Sequence, residues 1–292
     1  MFQNNYGQTD SLSKRDTLSI QGSLISTDTI VRTDFSPSLN QTEPRNTQIY
    51  KLKPAIDIPL TLAAAGWSIY GFKEIYSKEG STDAQILSLD INDVNGFDRW
   101  TADVYNEDAA KTSDLLFYGS IPLPLLLLLD NDIRKDGFKV MFLYLEAMSI
   151  TGVFYTGSAF LVDRYRPLAY NSSAPMDRRR DGNSKNSFLG GHPALVATST
   201  FFIAKVFSDY HPDSNLKYVF YGAAIAATGT TAYLRYRAGR HFPSDLITGI
   251  AVGTLSGILV PHFHKNKLLK NPNLSITPFT GRSHGISMVY KL

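Results

Sequence analysis

Arg235-Tyr-Arg-Ala-Gly-Arg-His241-Phe-Pro-Ser-Asp245 sets a cation, a histidine and a carboxylate at short spacing, where a loop turns into a helix. Pro243 suits the first helical position, where its missing N–H costs nothing. His241 then lies just outside the helix and Asp245 near its third residue. A side chain at that third position reaches back to the residues before the helix. Asp245 is therefore expected to hold the His241 ring and fix its tautomer, as in a nucleophile–orienter pair. Arg235 supplies a planar fork of donors suited to phosphate oxygens.

The layout repeats upstream in Ser187-Phe-Leu-Gly190-Gly191-His192-Pro193. Gly190 and Gly191 let the backbone approach a ligand closely, His192 follows, and Pro193 opens an apolar run. Helix N-termini present free N–H groups and a positive dipole end, which suit an anion. A third piece, Arg164-Tyr-Arg166-Pro167, closes an apolar segment. Arg166 could instead cap the preceding helix C-terminus. Two histidines, several arginines and two helix starts could thus converge on one anion.

The order Arg-Pro, Gly-His, Arg-x5-His-x3-Asp resembles the type 2 phosphatidic acid phosphatase superfamily, which also holds bacterial acid phosphatases and vanadium haloperoxidases. The resemblance runs roughly from Ile58 to His264. It implies an all-α, six-helix bundle of the acid phosphatase/haloperoxidase type. It also implies that His241 attacks phosphorus to form a phosphohistidine. His192 would protonate the leaving oxygen and then activate water, with Asp245 orienting His241. Arg166 and Arg235, with the backbone at Gly190 and Gly191, would bind the phosphate. No metal or other cofactor is called for.

The family pattern is not complete. Its first motif begins with a lysine where this chain has Ala159, and its Pro-Ser-Gly-His is here Leu189-Gly190-Gly191-His192. Its Ser-Arg is here Leu234-Arg235. Arg164 is a candidate to replace part of the lost lysine charge. Restoring Gly190→Ser and Ala159→Lys is expected to raise turnover.

The 292 residues suit one large domain, since no compositional break divides the middle. A formal charge of +3 is too modest to argue for nucleic acid. The basic clusters at Arg178–Arg180 and at Lys265, Lys267 and Lys270 read more simply as solvated loops. No cysteine is present, so disulfides and thiolate chemistry are excluded. Residues 1–53 form a polar stretch of disorder-type composition. No signal peptide is visible there, and the natural precursor is expected to be longer or trimmed.

Six apolar helices are expected at Ile58–Phe72, Leu115–Leu129, Val140–Val162, Pro193–Phe207, Tyr218–Leu234 and Leu246–Phe263, within a domain spanning 54–264. A basic tail, 265–292, could hold a strand at Gly285–Tyr290. Short surface helices are expected between Lys73 and Asp114, and a loop between Asp163 and Leu189. His211, His262, His264 and His284 read as surface residues. A membrane span needs about 20 mostly apolar residues. The last helix meets that comfortably, and Leu125–Leu129 favours lipid. The bundle is expected in the cell membrane with its site facing the periplasm or exterior; a soluble periplasmic bundle is the alternative.

The expected function is hydrolysis of a lipid-linked or small phosphate monoester or diphosphate. The main alternative is a weakened or inactive member that binds phospholipid or serves the envelope structurally. Vanadate-dependent halide oxidation is a third reading, disfavoured by the missing lysine. Composition and motifs do not select a substrate or an oligomeric state.

Overall fold

Pro54 opens the first helix, α1 (Pro54–Tyr76), and the Asp57 carboxylate caps it by accepting the Lys53 N–H at 2.5 Å. The computed structural model describes residues 48–266 and the backbone of two later strands. A reciprocal capping box between Thr82 and Gln85 starts the short α2 (Asp83–Leu87). Asn106 caps α3 (Glu107–Ser120) by accepting the Ala109 N–H at 2.8 Å. The expected helix Leu115–Leu129 does not run through. Pro122 and Pro124 each remove a backbone donor, and the chain tightens into a 3₁₀ turn, Leu123–Leu129.

Asp130 caps α4 (Asn131–Lys135), and the long α5 (Gly137–Leu161) follows. The stretch expected as a loop contains two short helices, α6 (Pro167–Tyr170) and α7 (Met176–Arg180). Three long helices complete the bundle: α8 (Gly191–Tyr210), α9 (Leu216–Arg237) and α10 (Pro243–His264). Beyond them β1 (Leu274–Thr280) pairs antiparallel with β2 (His284–Tyr290), so the expected strand is present with a partner.

The centre of the bundle is α8. It packs on α10, α9, α5 and α3, while α1 lies on α5. Its residues are buried on nearly every side, as a helix at the centre of a bundle requires. Gly249, Gly253 and Gly257 form a stripe along α10 that lets it touch the backbone of α8. A Cβ at Gly253 would overlap the Ala194 carbonyl, and one at Gly257 would lie 2.7 Å from the Thr198 carbonyl oxygen. Close helix contact through small residues is a common membrane device. Here it holds the N-terminal ends of α8 and α10 side by side.

At the opposite end Tyr50 is fully buried among Val140, Leu143, Phe202, Val206 and Val260. Its hydroxyl donates to Asp209 at 2.9 Å. Tyr50 falls within the stretch expected as a polar tail; residues 1–47 of that tail lie outside the described residues. His211 and His264 are not the free surface groups expected. His211 Nε2 lies 2.9 Å from Asp130, and His264 Nε2 lies 3.3 Å from Asp57 and 3.7 Å from Glu146.

Among the described residues, three segments are long and apolar enough to cross a membrane: Glu107–Leu129, Gly137–Leu161 and Pro243–His264. Large apolar side chains face outward from the bundle, among them Ile69 at 72%, Leu115 at 73% and Leu161 at 87% exposure. Water penalises such a surface, whereas hydrocarbon does not.

Candidate active site

Gly239 makes the turn that delivers His241. After α9 ends, Gly239 takes φ +65°, a left-handed conformation that favours glycine, and its N–H bonds the Tyr236 carbonyl at 2.9 Å. The Arg240 N–H then bonds the Arg235 carbonyl at 3.1 Å. Arg235 therefore sits in the last turn of α9, and His241 lies just before α10. The Gly239 carbonyl accepts the Leu168 N–H at 2.9 Å, tying this turn to the Arg166-Pro167 segment.

His241 is 2% exposed. Its Nδ1 lies 2.6 Å from the backbone carbonyl oxygen of Ser187. A carbonyl only accepts, so Nδ1 carries the proton and Nε2 of the neutral ring keeps its lone pair. Burial pushes the imidazole well below its ordinary pKa, and the Arg166 and Arg235 guanidiniums push the same way. Both effects favour the neutral ring.

Asp245 does not hold His241, contrary to the expectation from spacing. It reaches back as a third-position side chain should, but it accepts the Phe242 N–H at 2.9 Å. Its other partners are the Ser187 hydroxyl at 2.6 Å and Arg164. Asp245 therefore acts one step back: it fixes Ser187, and the Ser187 carbonyl fixes the ring.

Arg164 is committed elsewhere than to phosphate. It bridges Asp245 and Asp98, the latter at 2.7 Å, donates to the Ser244 hydroxyl at 3.0 Å, and lies 4.4 Å over the Phe242 ring. Both carboxylate side chains are fully buried. Burial by itself would raise Asp98, but hydrogen bonds from Arg164, Ser244 and Asn95 outweigh it and leave the carboxyl below its ordinary value. Two buried carboxylates consume the charge that the expectation assigned to phosphate.

His192 is the second residue of α8, beside the α10 start. Its Nε2 lies 3.1 Å from Asp114 Oδ1, and its ring packs 4.3 Å from the Phe117 ring. Burial lowers its pKa well below the ordinary value, followed by the charges of Arg235, His241 and Arg166. Arg235, 5% exposed, donates to the same Asp114 oxygen at 2.7 Å, and burial lowers its pKa to about 10. Arg166, 6% exposed, donates to Asn183 at 3.1 Å and to the Asn186 carbonyl at 3.4 Å. The Nε of Arg235 and that of Arg240 are buried without a hydrogen-bond partner among the described residues.

Gly190 and Gly191 form the start of α8. The Gly190 N–H is not free for a ligand, since it bonds the Asp245 carbonyl at 2.9 Å. Gly191 allows the Tyr155 ring to close over the helix start; a Cβ there would fall 2.6 Å from it. Ala159, at the lost lysine position, is fully buried against Ile75, Tyr155, Leu189 and Ala194. Its carbonyl accepts Lys78 Nζ at 2.7 Å.

Ser187, Asp98, Asp114 and Arg240 join the expected site residues here. Asp98 and Asp114 stand in a polar stretch with no local signal. Arg240 directly precedes His241 and could have been flagged by that adjacency. Neither a curated protein nor a solved structure gives a significant match to the chain. Residues 140–269 match the PAP2 superfamily model, a stretch that holds all three motifs, and the match supports a phosphatase-type function in general.

Proposed function

We propose that the protein hydrolyses a phosphate monoester or diphosphate through a phosphohistidine at His241, with a lipid-linked substrate. The observation that carries this reading is the 2.6 Å contact between His241 Nδ1 and the Ser187 carbonyl. It leaves the Nε2 lone pair on a ring whose pKa the charges of Arg166, Arg235 and Arg240 lower, cations suited to the equatorial oxygens of a phosphoryl group.

In the first step the Nε2 lone pair of His241 forms a bond to phosphorus. The bond from phosphorus to the leaving oxygen breaks, and a proton from His192 neutralises that oxygen. In the second step water attacks phosphorus and gives a proton to His192. The P–N bond breaks and returns its electron pair to His241. His192 is neutral in the free pocket, and a bound phosphate dianion opposes the burial and arginine effects that keep it so. Substrate binding therefore supplies the conditions under which His192 takes up the proton it later donates. The Ser187 carbonyl, rather than Asp245, faces the positive charge on the phosphorylated ring.

The outward apolar side chains and the three candidate spans support a place in the cell membrane, which favours a lipid-borne phosphate. The orientation, with the site facing the periplasm or exterior, rests on the family resemblance. The chain contains no cysteine, so single introduced cysteines at Lys185 and Lys53 can report topology by labelling with an impermeant maleimide.

The deciding experiment is phosphate release from phosphatidate and from a polyprenyl diphosphate in detergent micelles, run beside His241→Ala. An acid-labile, base-stable phosphoprotein trapped in the wild type and absent from the variant supports the reading. No release from the wild type favours the second reading, an anion-binding protein without turnover. The loss of the motif lysine at Ala159 and of the motif serine at Gly190 speaks for that alternative.

A further inference from the structure

Asp114 occupies the point where two motifs of the site meet. Its Oδ1 accepts from Arg235 Nη2 at 2.7 Å and lies 3.1 Å from His192 Nε2, so donors from α9 and α8 close on one carboxylate oxygen carried by α3. The Asp114 side chain is 45% exposed and that of Arg235 only 6%. The carboxylate therefore enters from the exposed edge of the cluster and can withdraw by turning its own side chain. Two helical turns earlier on the same face, Glu107 lies 3.2 Å from Arg178 and 3.6 Å from Arg240.

These carboxylates leave the cations incompletely paired. The buried Nε groups of Arg235 and Arg240 lack a partner among the described residues, and Arg166 reaches the Asn186 carbonyl only at 3.4 Å. A carboxylate offers two oxygens. A tetrahedral phosphoryl group offers more oxygens and more charge, enough to take up donors that Asp114 leaves idle.

We infer that Asp114 is a specificity-determining residue of the anion site, a tethered carboxylate that a phosphoryl group displaces and a free carboxylate does not. The inference rests on the reading of this pocket as a phosphate site. A tether holds Asp114 at high effective concentration beside Arg235 and His192. A free carboxylate would gain the same contacts without that advantage and loses the competition. A phosphate dianion gains additional charge-assisted hydrogen bonds and wins it.

The test is calorimetric titration of inorganic phosphate and of acetate into the full-length protein in detergent micelles, with wild type, Asp114→Asn and Arg235→Gln compared. Asp114→Asn should bind phosphate roughly two- to fivefold tighter, the size expected from removing one partly exposed ion pair. It should also become sensitive to acetate, while Arg235→Gln binds neither anion. Unchanged or weaker phosphate binding by Asp114→Asn, with Arg235→Gln still abolishing it, overturns the inference and leaves the phosphate site standing. Phosphate binding that is absent throughout, or indifferent to Arg235→Gln, overturns the phosphate site and the inference with it. Thermal unfolding is followed for each variant, and Asp114→Ser removes the same charge if the asparagine variant fails to fold.

Discussion

The Ser187 carbonyl oxygen lies 2.6 Å from His241 Nδ1, while the Ser187 hydroxyl lies 2.6 Å from Asp245 Oδ2. One residue of the loop before α8 thus joins the His241 ring to the carboxylate expected to orient it. Because the contact to the ring is a backbone carbonyl, no side-chain substitution removes it directly.

This relay gives a graded series. His241→Ala should abolish turnover, a loss of roughly a thousandfold or more. Ser187→Ala keeps the carbonyl and loses only its hydroxyl bond to Asp245, so kcat should fall roughly tenfold with KM little changed. Steady-state kinetics on the two variants check the order. Equal losses would mean that the Ser187 hydroxyl does more than hold the loop.

Arg164 and Arg235 should separate stability from anion binding. Arg164→Gln leaves Asp98 and Asp245 buried without their cation, and breaking such a pair costs about 3–5 kcal/mol. Arg235→Gln should cost phosphate affinity far more than stability. Denaturant unfolding and phosphate titration on both variants read the contrast. A destabilised Arg235→Gln beside an unaffected Arg164→Gln would reverse the assignment.

Acid should act on the two histidines. Their pKa values are lowered in the folded protein, so the unfolded chain binds protons at a higher pH than the folded one. Stability from this source is complete above the unfolded value of about 6.5 and declines as pH falls below it. Asp98 adds a second loss at lower pH, because its folded pKa is depressed and its contribution is present only above the ordinary carboxylate range. Unfolding midpoints measured between pH 8 and pH 4, roughly the span of these ordinary values, should show the first decline, and His192→Gln should flatten it. A profile indifferent to that substitution would place the acid sensitivity elsewhere.

The two restorations of the family pattern should part company. Gly190→Ser sets its Cβ 3.1 Å from Pro193 Cγ and 3.2 Å from the Asp245 carbonyl, a fit requiring small shifts. It should fold and raise phosphate affinity a fewfold. Ala159→Lys instead places an ammonium in a fully buried apolar cluster, at a cost of several kcal/mol. Expression level and thermal midpoint of the two variants check this. The combined restoration expected to raise turnover is therefore opposed by packing at Ala159.

The glycine stripe carries both helix starts. Gly253→Ala drives a methyl into the Ala194 carbonyl and should cost about 1–3 kcal/mol or more through overpacking. It should also lower turnover, because the α8 and α10 ends shift apart. A variant of wild-type stability would show that the two helices separate without penalty.

Much of the site was legible in the chain itself. Pro243 marks the start of α10, Gly191-His192-Pro193 marks the start of α8, and the order of arginines and histidines points to one anion pocket. These features depend on neighbours within about one helical turn, where spacing alone sets direction. Apolar runs likewise located five of the long helices, and Pro122 and Pro124 carried the local reason that the remaining one breaks.

Tertiary packing decided who pairs with whom. His241 takes its acceptor 54 residues away, Arg164 reaches Asp245 across 81, and Arg235 meets Asp114 across 121. Spacing along the chain says nothing about such pairs, because contact of α10 with α8 through glycine and of α3 with both α8 and α9 creates them. Local sequence sets which chemical groups stand at the helix ends. The packing of those ends determined that Ser187 orients His241, that Arg164 is spent on two carboxylates, and that Asp114 stands at Arg235.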